Sequence, residues 1–386
     1  MPWKETDVTD QRVQFIASCQ SGEKTMTDLC LRFGISRPTG YKWLKRYVAE
    51  QLDGLKDRSR APQTHPNATR EDIEDEIVVF RLEHERWGPK KITARLRELH
   101  PEINWPAPST AGDLLKRLGL VSPRRRRWRT PPHTKPFVGC LDCNCIWCAD
   151  FKGWFRTRDG RRCDPFTLTD AFSRFLLRCQ IVPHPNRYWV QGICDAAFRE
   201  FGLPLAIRTD NGPPFATPAL GGLSRLAIHW IKLGIIPERI KPGCPQQNGR
   251  HERMHETLKY DTDVEANARR QQKAYLCFRE EFNFERPHEA LGQRTPGSVY
   301  MPSPRPFPRY IPAVSYPDAY TVRRVRHNGE IKWQGQTLYL SQQLAGEPVG
   351  LVQTDNDQWN LYFGPVYLAT WNQRRQKLEI PRPRRQ

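Results

Sequence analysis

The chain has no run of about eighteen apolar residues, the length needed to cross a hydrocarbon core. Its opening residues, Met1-Pro2-Trp3-Lys4-Glu5-Thr6-Asp7, lack the apolar stretch of a secretory signal. Neither feature favours insertion or export, and the expectation is an intracellular protein with no membrane partner. The chain is also short of acid. Its 42 Asp and Glu face 61 Lys and Arg, which gives a formal net charge of +19 and a pI near 9.7. That balance favours a polyanionic partner, nucleic acid before a membrane surface, with a solvated basic surface as the alternative. Paired cysteines are lacking too: the 11 present are an odd number scattered along a long chain, which argues against a disulfide framework. Cys140, Cys143, Cys145 and Cys148 contain two C-x-x-C spacings and raise a zinc hypothesis. One residue between the pairs is too short a loop to wrap an ion, so the segment reads better as a strand leading into Asp150.

What the chain does contain is enough for several folded domains. At 386 residues and 38% hydrophobic, and with about 150 residues per domain, two to four domains are expected. Residues 1–60 read as a helix-turn-helix, with Gly34 allowing the turn, Ser36 able to cap the second helix and Pro38 in its first turn. Helical spacing buries Tyr41, Leu44 and Val48 and leaves Arg37, Thr39, Lys42 and Arg46 outward as major-groove readers; a plain helical hairpin with a basic face is the alternative. Residues 70–130 read as a second helix-turn-helix followed by a basic linker, Arg124-Arg125-Arg126-Arg127-Trp128-Arg129, suited to tracking phosphates. A targeting run or a solvated linker would have the same composition.

From residue 135 the texture becomes strand-like. Runs at 146–155, 163–169 and 174–182 precede a helix near 186–201, a strand at 205–209 and a helix near 220–233. Asn248 is placed to cap a long helix. Strand pairs followed by strand and helix alternation predict a mixed α/β sheet. Residues 305–386 start Pro-rich and continue as short strands, with a hairpin at 326–330, predicting a small β-barrel with a basic tail.

Three acidic clusters stand out: Trp147-Cys148-Ala149-Asp150, Thr209-Asp210-Asn211-Gly212, and Pro245-Gln246-Gln247-Asn248-Gly249-Arg250-His251-Glu252. Carboxylates in turn-flanked, strand-end contexts within a basic chain suit hard divalent ions beside bound nucleic acid. These motifs, with Phe282-Asn283-Phe284-Glu285-Arg286-Pro287-His288-Glu289-Ala290-Leu291, resemble insertion-sequence transposases of the retroviral-integrase superfamily. The resemblance is strongest over 135–300. It implies an RNase H-like core, Asp150, Asp210 and Glu252 as catalytic metal ligands, and two Mg²⁺ (or Mn²⁺) ions bridged by Asp150. It also implies double-stranded DNA at transposon ends and target as partner, a homo-oligomer, and a bacterial cytoplasmic, nucleoid-associated setting. Lys259, on the helix of Glu252, joins the DNA-contact set. Asp210 and Glu252 stand farther apart than is usual in the family, and residues 216–223 read as an extra surface loop.

Two rivals share these residues. His251-Glu252-Arg253-Met254-His255 is H-E-x-x-H, the zinc metalloprotease motif; Leu258 replaces the turn glycine of the extended pattern, and Asp261 or Glu280 would have to supply the distal ligand. A catalytically inactive DNA-binding regulator is the other. Asp170 and Glu256 are further acids, expected to sit behind the three.

Overall fold

The computed structural model describes residues 7–59, 68–121, 140–241, 245–355 and 357–380. The chain divides into two compact units, one ending at Thr69 and one running from Arg70. The first holds α1 (Val8–Gln20), α2 (Met26–Arg32) and α3 (Arg37–Glu50). Its core is Phe15, Ile16, Leu29, Cys30, Trp43 and Leu55, with Leu44 and Tyr47 packed against it.

That core corrects the expected face of α3. Tyr41 and Val48 are 51% and 72% exposed, and the buried stripe runs Gly40, Trp43, Leu44, Tyr47. The cause is Gly40: a Cβ there would stand 2.7 Å from Cys30 Sγ and 3.0 Å from Phe15, so α3 turns its bare backbone to the crossing. Arg37 and Lys42 stay exposed, but Thr39 and Arg46 are half-buried. The Thr39 hydroxyl bonds to that of Ser36 at 2.8 Å, and Ser36 therefore makes no side-chain cap. Arg46 lies over the Trp43 ring, 5.0 Å from its centroid.

The second unit begins with α4 (Glu71–Glu83), α5 (Pro89–Leu99) and α6 (Pro108–Arg117) around Ile77, Trp87, Ile92, Leu96, Trp105 and Leu114. The linker arginines Arg124, Arg125, Arg126 and Arg127 lie outside the described residues. The central sheet contains β1 (Ile146–Phe151), β2 (Phe155–Arg156), β3 (Arg162–Asp170), β4 (Leu176–Val182), β5 (Ala206–Thr209) and β6 (Ile236–Arg239). Its order is β4-β3-β1-β5-β6, antiparallel from β4 to β1 and parallel from β1 to β6, and β2 pairs with the start of β3. Alternation along β1 sends Trp147 and Ala149 to one face, where α7 (Arg187–Phe201) and α8 (Arg225–Lys232) cover them. Asp150 faces the opposite side with Cys148. There α9 (Gly249–Asp261) and α10 (Ala268–Glu280) pack Met254, Leu258, Tyr275 and Phe278 onto Leu176 and Cys179. Asn283 completes this layer by bonding both backbone groups of Leu176, at 2.8 and 3.0 Å.

The C-terminal strands are β7 (Thr321–Arg324), β8 (Glu330–Trp333), β9 (Gln336–Tyr339), β10 (Pro348–Asp355), β11 (Gln358–Phe363), β12 (Val366–Asn372) and β13 (Lys377–Glu379). They do not close into the expected barrel. β13-β12-β11-β10-β7 form an open antiparallel sheet, and β8-β9 a separate hairpin whose turn is at Gln334 and Gly335, one element after the tight turn at Asn328-Gly329. The reason the sheet stays open is what covers it. Leu220 and Leu223, with Ala227, Ile228 and Ile231 of α8, share one hydrophobic cluster with Val349, Leu351, Leu361, Phe363 and Leu368. The stretch at 216–223 is therefore no surface bulge; its leucines are 8% and 3% exposed and dock the C-terminal sheet on the core. Ser303 and Arg305 of the Pro-rich segment pin the same side, bonding the backbone at Phe201, Leu203 and Pro204.

Gly40→Val is expected to destabilise the first unit by about 1–3 kcal/mol, because the added side chain overpacks the helix crossing. Peptide-resolved hydrogen exchange checks this: protection should fall across 7–59 and persist across 140–241.

Candidate active site

Because β1 and β5 are parallel, with Ile146, Trp147 and Cys148 opposite Ala206, Ile207 and Arg208, both strands deliver a carboxylate toward the same end of the sheet. Asp150 is the next-to-last residue of β1, half-buried, and takes the Phe151 N–H on Oδ1 at 2.8 Å. Asp210 follows β5 directly and takes the Gly212 N–H at 3.2 Å. A side chain at 212 would meet Asp210 Oδ2 at 3.1 Å, so glycine suits this tight approach. Asn211 ties the turn down by donating to Ile240 O at 2.8 Å. Glu252 stands exposed in the first turn of α9.

The electrostatics link the three acids. Burial pushes the Asp150 carboxyl up to about 7, and the charges of Asp210 and Glu252 push the same way against the Phe151 N–H. Burial also raises Asp210, opposed by the Gly212 N–H. Such like-charge crowding is the condition that a divalent cation relieves.

The second line of the site escaped the sequence. Asn248 precedes α9 but makes no helix cap; its amide reaches Asp150 Oδ2 at 3.5 Å, and its buried Oδ1 has no partner. The two histidines of the H-E-x-x-H motif face β3. His251 is 1% exposed and is held between Thr169 at 2.8 Å on Nδ1 and Thr167 at 2.7 Å on Nε2. His255 Nε2 meets the same Thr167 hydroxyl at 2.7 Å, and that hydroxyl also donates to the Asp150 carbonyl at 3.2 Å. Burial drives His251 far down and His255 to about 4, so both imidazoles are neutral near pH 7. Asp150, His251 and His255 place one ligand atom each within 4.8 Å of one another, a group that does not include Glu252. Thr167 and Thr169 occupy alternate positions on one face of β3, a signal that period-two reading contains but that has no meaning until α9 is laid across it.

Other expected ligands are engaged elsewhere. Asp261 pairs with Arg286 at 2.6 Å and lies 3.7 Å from Arg86, Leu258 is buried in the α10 layer, and Glu280 lies 3.7 Å from Arg279. Asp170 is fully buried and caged by the N–H of Asn144 and by the N–H and hydroxyl of Ser173. Glu256 is exposed, as is Lys259, which lies near enough to Lys152 to lower that lysine's pKa behind the larger effect of burial. Cys140 and Cys148 are buried with Ile146, Ala171 and Ala206, and the cysteines form no metal-ligand group among the described residues.

Sequence comparison identifies this mixed sheet and its covering helices. Family models for an integrase core domain match residues 143–244 and 233–296, a helix-turn-helix domain matches 11–63, and a homeodomain-like domain matches 39–115. The uncharacterized 39.2 kDa protein of insertion element IS476 from Xanthomonas euvesicatoria is 24% identical over 71% of this chain and 77% of its own length. The 31.7 kDa protein of insertion element IS407 from Burkholderia multivorans is 26% identical over 58% of this chain and 81% of its own. The HTLV-2 integrase catalytic core domain in complex with magnesium superposes with a TM-score of 0.33 at 16% identity, covering 41% of this chain and 97% of that one. The simian T-cell lymphotropic virus intasome superposes with a TM-score of 0.37 at 15% identity, covering 80% and 100%. These matches support an insertion-sequence transposase of the integrase superfamily. Its helix-turn-helix and integrase domains make it a DNA-binding protein of transposition. Among the described residues, no helix is long and apolar enough to cross a membrane.

The raised Asp150 pKa carries a sign. A carboxyl whose folded pKa lies above its unfolded value near 3.8 favours folding most when protonated, and that contribution is lost as pH rises through about 7. In metal-free buffer, Asp150→Asn is expected to melt several degrees above the wild type at pH 8 and to match it at pH 4, as a thermal-unfolding series across pH would read.

Proposed function

We propose that this chain binds the ends of a mobile element, cuts phosphodiester bonds there and joins the ends to target DNA, with Asp150, Asp210 and Glu252 holding two Mg²⁺ or Mn²⁺ ions. The observation that carries the reading is the meeting of Asp150, Asp210 and Glu252 at one end of the sheet, where burial first, and then the charges of Asp210 and Glu252, raise the Asp150 carboxyl to about 7. An all-oxygen donor set of this kind suits hard divalent ions. Bound ions would supply Lewis-acid activation of the attacking oxygen and neutralise charge growing on the phosphate. Asp150, whose charge is coupled to both other acids, would help hold the ions. Asn248 steadies its Oδ2, and the Gly212 N–H orients Asp210. Neither cutting nor joining needs a covalent protein intermediate, and the Ser173 hydroxyl is already committed to Asp170.

Recognition is divided from chemistry. Arg37 and Lys42, exposed on α3, are proposed to read base edges, while Arg124 to Arg127 and Lys259 hold phosphates. Two ends meeting one target require more than one chain, so the working form is a homo-oligomer acting in a bacterial cytoplasm beside the nucleoid.

Single replacements Asp150→Asn, Asp210→Asn and Glu252→Gln should each abolish joining while leaving affinity for end DNA nearly intact, because each removes a ligand charge and no recognition residue. Assays of cutting and joining with labelled element ends, run beside a binding titration, decide it; strand transfer retained by one variant removes that residue from the set. Arg37→Ala should cost about 1–3 kcal/mol on end DNA and much less on random duplex. Equal loss on both would make α3 a structural helix and move end reading to residues 70–121.

A further inference from the structure

Two imidazoles and a carboxylate meet around one threonine. Asp150 faces Thr167 across the pairing of β1 with β3, and α9 lays His251 and His255, four residues apart on one helix face, over the same point. Each Nε2 stands 2.7 Å from the Thr167 hydroxyl, and the ring centroids are 4.7 Å apart. One ligand atom from each of Asp150, His251 and His255 lies within 4.8 Å of the other two. Glu252 is exposed and stands outside this group.

This donor set differs in kind from the three carboxylates. Two imidazoles with one carboxylate suit a borderline ion such as Zn²⁺ or Co²⁺, whereas oxygen alone suits Mg²⁺. Ligands about 2.0–2.1 Å from a tetrahedral ion stand about 3.3 Å from one another, so atoms within 4.8 Å have at most about 1.5 Å to close. Asp150 and His255 are half-buried and can supply that movement, while His251, 1% exposed, is the fixed member. The other nitrogen of His251 is already supported, since Nδ1 stands 2.8 Å from the Thr169 hydroxyl. With an ion on Nε2 the ring proton sits on Nδ1 and Thr169 accepts it, which is the outer bond that orients a metal-bound histidine. The Thr167 hydroxyl gives up the two ring contacts and keeps its bond to the Asp150 carbonyl at 3.2 Å.

We propose that Asp150, His251 and His255, with solvent as fourth ligand, form a site for Zn²⁺ or a similar borderline ion, whose occupation withholds Asp150 from Asp210 and Glu252. It is not a protease centre: Glu252 lies outside the group, and Asp261, the distal acid, is bound to Arg286. Binding of the ion requires nothing of the catalytic assignment. Only the consequence rests on the function proposed above, in that a chain holding Zn²⁺ here has no free Asp150 carboxylate to share with Mg²⁺, and joining stops.

Ligand-field absorption reads the site directly. Chelator-stripped full-length protein titrated with Co²⁺ should take up one ion per chain with the visible bands of tetrahedral coordination, bleached by stoichiometric Zn²⁺ and not by an excess of Mg²⁺. His255→Ala should weaken zinc binding by about 100-fold or more and Thr169→Val by about 10–100-fold, while Glu252→Gln leaves it unchanged. His255→Cys, which restores a ligand, should recover binding and add a thiolate-to-cobalt charge-transfer band. An octahedral Co²⁺ spectrum overturns the site, as does zinc affinity that is unchanged in His255→Ala or lost in Glu252→Gln, since the ion would then sit on the three carboxylates. The wild-type spectrum and the exposed Glu252 variant decide the matter even where His255→Ala fails to fold. Joining of labelled ends in Mg²⁺ should fall in step with zinc occupancy. Joining that persists at saturation overturns the withholding of Asp150, whereas a chain inactive without any Zn²⁺ counts against the transposase reading and leaves the metal site standing.

Discussion

Strand β1 lies between a parallel and an antiparallel neighbour, and this pairing governs what stands where. The parallel contact with β5 brings the ends of two strands together, with Asp150 near the end of β1 and Asp210 just after β5. The antiparallel contact with β3 sets Thr167 opposite Asp150, which gives α9 a polar row to rest on beneath the site. A slip of one residue in either pairing would turn Asp150 into the apolar layer of α7 and put Ala149 in its place. The layer of Trp147, Ala149, Phe166, Leu168 and Ile207, all fully buried, makes that slip costly.

Helix α9 carries opposite demands on successive residues. His251 and Met254 go inward, Glu252 and Arg253 go outward, and Arg250 reaches sideways to Ala171. Burial keeps the inward imidazoles neutral, which lets them exchange hydrogen bonds with two threonines at no cost of buried charge. The H-E-x-x-H spacing thus serves to seat a helix on a strand. Its distal acid, Asp261, is spent on Arg286, whose guanidinium also lies 5.8 Å over Trp87 and so ties the 70–121 helices to the core.

The C-terminal sheet depends on the core in a different way. Its inner face is completed by α8 and by the residues just before it, so a lengthened gap between Asp210 and Glu252 becomes a docking surface. Lys232 with Glu347 at 3.0 Å, and Arg225 with the backbone of Gln342 at 3.1 Å, rim that apolar contact. A sheet covered by a neighbour on one face has no need to close on itself.

Local chemistry made much of this legible in the sequence. Apolar alternation marked the strands of the core, and glycine, proline and small polar residues marked the ends of α3 and the turn after β5. The charge balance indicated a polyanionic partner, and the motifs around Asp150, Asp210 and Glu252 indicated the family. What sequence spacing misjudged was several choices between two faces or two partners: which stripe of α3 is buried, whether Asn248 caps a helix or meets Asp150, whether residues 216–223 meet water or a sheet, whether the last strands close. Periodicity ranks residues by hydrophobicity along one element, whereas those choices are made by the shape of a second element far away in the chain. Gly40 shows the limit most clearly, since its importance is the absence of a Cβ where Cys30 and Phe15 approach. By itself the sequence determined most of the elements and the charge; tertiary packing decided their facing and their partners, because burial and like-charge proximity exist only once distant segments are brought together.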